Sequence, residues 1–150
     1  MSKKGVGMYS AISVANYIIE YEHSKNRMIS NLKLQKLLYF VQARFFIEYE
    51  QPCFDDRIEA WSFGPVVVNV YHAYKIYGSL DITKLKGCLP NNISSEHQII
   101  INEELESYSC TPVYEMVNIT HHQTPWVQAK RNLFNNEITH ESLRQFFCYD

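Results

Sequence analysis

Apolar residues recur every three or four positions near the start of the chain, which is the spacing of a helix with one buried face. The first stretch runs from Ser10 to about His23, and its apolar positions are Ile12, Ala15, Ile18 and Ile19. Ser10 is a suitable N-cap, because a serine hydroxyl can accept a hydrogen bond from an amide of the first turn. A polar connection at residues 24–28 follows. We predict a first helix between these limits.

A longer apolar stripe follows Ser30 and Asn31, which are both good caps, and continues to about Tyr49. Its apolar positions are Leu34, Leu37, Leu38, Val41, Phe45 and Phe46. The basic residues between them are expected on the wetter side of the helix: Lys33, Lys36 and Arg44. Pro52 lies just beyond its end. We expect the core of the domain to be built on this second helix.

Residues 57–62 alternate polar and apolar side chains, which predicts a short β element. Gly64 then permits a turn, and Pro65 suits the first position of a third helix, because its missing amide would have no intrahelical partner there. That helix is predicted to reach Tyr77, with Gly78 as its C-terminal stop.

The rest of the chain carries a loop at 79–92 and further helix starts. The predicted helices are Ser94 or Ser95 to about Tyr108, Pro112 to Thr120, Thr124 (as N-cap of Pro125) to about Asn132, and a last one capped by Thr139 over Glu141 to Phe147. The fold class is therefore mainly α: a single compact domain of about six or seven helices with one short β element. We expect residues 1–150 to form one domain, with its core at about 10–147 and a flexible segment at 1–8.

Composition narrows the function classes. Eleven Tyr and eight Phe predict a core or contact surface built from large rings. A formal charge of −2, with scattered lysines, makes nucleic acid an unlikely partner. The longest apolar runs fall short of the ~18 residues that cross a bilayer, and the N-terminus lacks a signal-peptide core, so a cytoplasmic protein is expected. The chain has four cysteines, Cys53, Cys88, Cys110 and Cys148. They should stay reduced in the cytoplasm, and because no two form a Cys-x-x-Cys pair, neither a zinc site nor a disulfide framework is indicated.

The candidates for chemistry are weak. The adjacent pair His121-His122 would point about 100° apart on a helix, so both cannot easily bind one metal. Asp55, Asp56 and Glu59 are better explained as turn formers or surface charges. The sequence has no Gly-rich phosphate loop and no nucleophile elbow. We expect no catalysis, no metal and no cofactor; a small hydrolase or metal enzyme using His121, Asp55 or Cys53 is the minority hypothesis.

Two aromatic–proline motifs are more specific, one at residues 61–65 and one at 120–126. Each brings a tryptophan beside a proline-marked turn. Either both rings are anchors inside one core, or one ring lines a groove that receives another protein. For the second case the candidate partner-binding residues are Trp61, Phe63, Tyr71, Tyr74, Tyr77, His121 and Trp126.

These residues resemble a known family. The segment Leu32–Phe40, then Ile58–Trp61 with Gly64–Val67, then Val70, Tyr71 and Tyr74, and later Thr120-His121 with Pro125-Trp126, are similar to the Panacea antitoxin domain, a phage-associated or SocA-like family. The resemblance spans about residues 10–147. Its structural positions here are Leu34, Leu37, Leu38, Tyr39, Gly64, Pro65 and Pro125.

The resemblance implies a mostly helical, non-catalytic domain of bacterial or phage origin that neutralises a cognate protein toxin by direct binding. Some members look like adaptors that deliver a bound protein to a AAA+ protease, which is the alternative function. A DNA-binding regulator is a further, weaker alternative.

Overall fold

The computed structural model describes residues 7–87 and 92–149. Its elements are α1 (Ala11–Ser24), α2 (Asn31–Tyr49), β1 (Ile58–Trp61), β2 (Gly64–Val67), α3 (Val68–Tyr74), a 3₁₀ turn (Lys75–Tyr77), α4 (Ser95–Ser107), α5 (Val113–His121), α6 (Thr124–Arg131), β3 (Glu137–Ile138) and α7 (His140–Tyr149). The prediction of a mainly α fold with a small β element is confirmed. The expected flexibility at 1–8 concerns residues that lie mostly outside the described ones, and Cys88 lies outside them too.

Helix α2 is the centre of the molecule and packs against α1, α4, α5, α7 and β2. Its predicted apolar residues are all buried: Leu34, Leu37, Leu38, Val41, Phe45 and Phe46, together with Tyr39. The prediction that Lys36 faces water is wrong, because β2 and α5 pack against this side of α2 and leave the side chain 0% exposed. Lys33 and Arg44 stay partly exposed and form ion pairs with acidic residues of α1, α2 and α4.

Side-chain caps begin several helices as predicted. The hydroxyls of four residues each accept a hydrogen bond from the amide three residues later: Ser10, Ser30, Ser94 and Thr139. The ends of α1, α2 and α4–α7 agree with the predictions to within about two residues, the usual uncertainty of a helix boundary. Thr124, however, is the first helical residue of α6, and Gln123 occupies the cap position without a side-chain hydrogen bond.

The prediction that Gly64 and Pro65 open a helix is wrong. They belong to strand β2, which pairs antiparallel with β1 from Trp61↔Gly64 to Ile58↔Val67. Gly64 has a φ of +104°, which lets the chain return immediately after the hairpin turn. Pro65 is tolerated because the strand order is β2-β1-β3, which leaves β2 at an edge where no amide is needed.

Gly78 does end the next helical segment, with a φ of +57° directly after the 3₁₀ turn. None of the described helices is both long and apolar enough to cross a bilayer.

Candidate protein-binding groove

Two buried side chains of α2 complete the outer edge of β2. The Val67 amide donates to Gln35 Oε1 (2.8 Å), and Lys36 Nζ donates to the Pro65 carbonyl (2.7 Å). A free strand edge would expose these backbone groups to pairing with another chain. Here side chains of α2, rather than a fourth strand, bind these groups, and this fixes the hairpin to the core.

The same network reaches α3. Gln35 Nε2 donates to Asn31 Oδ1 (2.9 Å), and Asn31 Nδ2 donates to the Tyr71 carbonyl (3.2 Å). Both side chains are buried. The start of α2 therefore holds the hairpin and α3 at a fixed separation.

Lys36 is an unusual component of this network, because no carboxylate compensates its charge among the described residues. Burial disfavours the ammonium form and lowers the pKa of Lys36 to about 7. Gly64 makes room for it. A Cβ at residue 64 would lie 2.8 Å from Lys36 Cε and 2.9 Å from Thr120 Oγ1.

Between the hairpin and α3 the surface opens into a groove of about 630 Å³. The start of α2, the hairpin and Tyr71 line it, together with Lys75 just after α3 and Lys130 near the end of α6. We call the hairpin and Tyr71 its walls, and Lys75 and Lys130 its rim. On the walls, the Trp61 and Tyr71 rings meet edge to face with centroids 4.8 Å apart. Trp61 Nε1 donates to Glu59 Oε1 (2.8 Å), which fixes the ring. We call this feature the hairpin groove.

The second tryptophan is hydrogen-bonded to the hairpin. Trp126 Nε1 donates to the Trp61 carbonyl (2.9 Å), and the His121 ring stacks on Trp126 with centroids 4.1 Å apart. His121 Nε2 donates to the Ser62 carbonyl (3.0 Å). Neither ring lines the groove. The motif at 120–126 thus holds in place the motif at 61–65.

Of the residues predicted from sequence to contact a partner, Trp61, Phe63 and Tyr71 line the hairpin groove. Tyr74 does not, because it is 1% exposed and its hydroxyl donates to Asn16 Oδ1 (2.5 Å) inside the protein. Tyr77 is half-buried, and its hydroxyl accepts from the Lys84 amide (3.1 Å), which fixes the following loop. Tyr74 is therefore part of the core, whereas partner contact by Tyr77 stays a prediction.

Sequence reasoning missed the groove's rim. Lys75 and Lys130 line it, and its surroundings include the exposed loop 132–136, where Leu133 is 92% and Phe134 99% exposed. The sequence did contain a signal for this loop. Leu133-Phe134 is an apolar pair flanked by asparagines, which are typical of exposed turns, so the sequence favours a surface position for the pair.

The groups considered for catalysis have structural partners. Asp56 accepts from the Ala11 amide (3.0 Å) and from Asn69 Nδ2 (2.8 Å). His122 donates from Nδ1 to a carbonyl of its own helix, away from the contact that His121 makes. Within the described ranges no three His, Cys, Asp or Glu side chains are grouped as they would be around a metal ion.

Cys53 is fully buried, and burial raises its pKa, so its thiol stays protonated and unreactive at neutral pH. The contacts of these groups suit a structural role. Among the described residues, the hairpin groove is a concave surface lined by aromatic side chains that are at least partly exposed.

Comparison with known proteins identifies the family. The family model for the antitoxin SocA-like Panacea domain matches residues 34–127, from α2 through the hairpin to the Trp126 turn of α6. Antitoxin SocA of Caulobacter vibrioides (strain NA1000 / CB15N) is 41% identical over 68 residues, which are 45% of this chain. The match spans only 36% of that relative's length. No solved structure gives a significant match. The chain belongs to the antitoxin SocA-like Panacea domain family.

Proposed function

We propose that this protein is an antitoxin that neutralises a cognate protein toxin by binding it directly, without catalysing a reaction. The observation that carries the proposal is the hairpin groove, an exposed aromatic concavity in a member of an antitoxin family. A toxin encoded beside its antitoxin would be met in the cytoplasm, where we propose that the complex forms.

The groove has two features expected of a protein-binding site, aromatic side chains and a preformed shape. Tryptophan and tyrosine held in a concave surface are the side chains that contribute most to protein–protein affinity. Buried hydrogen bonds from Asn31, Gln35 and Lys36 fix the groove before any partner arrives. A preformed surface loses little conformational entropy on binding, so more of the contact energy appears as affinity.

Co-expression tests this proposal. The reading frame next to this gene is placed under one inducible promoter and this chain under another. We expect the neighbour's product to arrest growth alone, growth to recover when both are made, and the two proteins to co-purify. A harmless neighbour, or one that stays lethal beside this chain, would contradict the proposal.

A second arm separates direct binding from delivery to a protease. The same rescue is measured in strains that lack individual AAA+ proteases. Direct neutralisation predicts unchanged rescue and an unchanged amount of toxin. Rescue that disappears with one protease, together with accumulation of the toxin, would replace direct neutralisation by the adaptor function.

A further inference from the structure

We propose that the hairpin groove receives a toxin segment in which carboxylate side chains lie next to bulky apolar ones, and that Lys75 and Lys130 select it. This inference rests on the proposed function, because it assigns the chemistry of the toxin that the antitoxin binds. Three observations carry it: the charge of the groove, the exposed apolar side chains near it, and the closed outer edge of β2.

The groove is positive although the whole chain carries a formal charge of −2. Its lining contains Lys75 and Lys130 and no aspartate or glutamate. Neither lysine has a carboxylate within 4.0 Å in the part of the chain that the structure describes. Two uncompensated cations on one rim favour an anionic partner.

The acidic residues adjacent in sequence to the lining share one arginine and do not line the groove themselves. Arg57 binds Glu59 (2.8 Å) on β1 and Glu137 (3.0 Å) on β3. The second carboxylate oxygen of Glu59 accepts from Trp61 Nε1. The two rim lysines are therefore the charged side chains that line the groove.

Large apolar side chains are exposed at the hairpin turn and on the loop that leads from Lys130 to the lining residue Asn136. Phe63 is 68% exposed at the hairpin turn, and Leu133 and Phe134 are almost fully exposed on the loop after α6. That loop is ordered by its own hydrogen bonds, since the amides of residues 134 and 135 both donate to Asn132 Oδ1 (3.0 and 3.1 Å). Large apolar side chains exposed together on an ordered backbone are typical of a contact surface.

Strand addition is not available at the β2 edge. Gln35 and Lys36 bind the backbone groups on the outer side of β2, and β1 occupies its other side. Recognition therefore depends on the partner's side chains, so its carboxylates and its apolar groups determine the fit. Two lysines are also few for nucleic acid, whose binding depends on many phosphate contacts.

The selecting rim lies partly beyond the family match. Trp61, Tyr71 and Lys75 fall inside residues 34–127, whereas Lys130 and the loop 132–136 fall outside. Combining the aromatic wall and Lys75 from the matched part with Lys130 and the loop from the unmatched part would give this chain its own toxin specificity.

Binding of the purified neighbour's product, measured by calorimetry, tests the inference. In the variant K75E/K130E we expect the affinity to fall about 100-fold or more, because like charges then face each other across the interface. The matched control K84E/K86E changes two exposed lysines that do not line the groove, and its affinity should stay within about threefold of wild type. The milder variant K75Q/K130Q should weaken binding less and reduce its dependence on salt.

Photo-crosslinking identifies the occupant. Phe63→p-benzoylphenylalanine places the reactive group at the groove, and the attached toxin peptide should contain Asp or Glu beside an aromatic or large aliphatic residue. A captured peptide without acidic residues would overturn the inference, as would wild-type affinity in K75E/K130E; in both cases the antitoxin function still stands. Groove-dependent binding of single-stranded RNA, or self-association lost in K75E/K130E, would also overturn it. Absence of any binding by the wild-type chain would instead remove the proposed function itself.

Discussion

Replacing Lys36 with methionine should change how the stability of this protein depends on pH. Lys36 is fully buried and holds the Pro65 carbonyl, while burial lowers its pKa from an ordinary 10.5 to about 7. Methionine has a similar length and no charge, so it occupies the same space without titrating. Buried charges replaced by apolar groups of similar volume often leave stability unchanged or raise it.

The sign of the effect follows from proton linkage. Below pH 7 the lysine is protonated in both states, and the folded state carries the full cost of a buried charge. From about pH 7 to about pH 10.5 the unfolded chain binds more protons than the folded one, so the free energy of unfolding rises with pH. Between pH 7 and about pH 9 the Lys36 contribution amounts to roughly 2 kcal/mol.

Urea unfolding of wild type and K36M at both pH values measures it. The wild type should gain roughly 2 kcal/mol more than K36M over this interval, or about 4–8 °C in Tm. Buried Cys53 and Tyr39, whose pKa values are raised, pull in the opposite direction, but equally in both proteins. An identical pH dependence in the two proteins would show that Lys36 is not buried as described.

Three further predictions follow from particular contacts. Gly64→Ala should lower the free energy of unfolding by roughly 3 kcal/mol or more, because the new Cβ would lie 2.8 Å from Lys36 Cε at a residue whose φ is +104°. Gly78→Ala should lower it by only about 1–2 kcal/mol, because φ is +57° there and no atom lies within 4 Å of the new Cβ. Chemical denaturation compares the two variants. Iodoacetamide at pH 8 should label exposed Cys110 and spare buried Cys53, as peptide mass spectrometry will show, and fast labelling of Cys53 would contradict its raised pKa. Phe63→Ala should leave the free energy of unfolding within about 0.5 kcal/mol of wild type yet weaken toxin binding by about 30-fold; a large loss of stability would mean that this ring is part of the core.

Helical segments were predictable because their information is local. Apolar spacing and hydroxyl caps at Ser10, Ser30 and Ser94 place the helices nearly where they occur. The same local reading fails at residues 64–67. Gly-Pro before apolar residues is compatible with a helix start, and only the pairing of Gly64 with Trp61 makes it a strand.

The site needed tertiary information. A lysine between leucines on a helix reads as a solvated side chain, and its burial depends on β2 and α5 covering that side of α2. The groove combines Trp61, Tyr71 and Lys130, which are far apart in sequence and meet only through the fold. The aromatic members were predicted from their motif, whereas the lysines had no local pattern to reveal them.

Hydroxyl-radical footprinting of the complex with the neighbour's product tests the central claim most directly, because one experiment compares side chains at the groove with an exposed side chain that does not line it. Phe63, Leu133 and Phe134 are exposed in the free chain and should become protected when the toxin binds. Tyr114, which is 74% exposed and does not line the groove, should react as before. Protection of Tyr114 with unchanged reactivity at Phe63 and Phe134 would show that the toxin binds elsewhere.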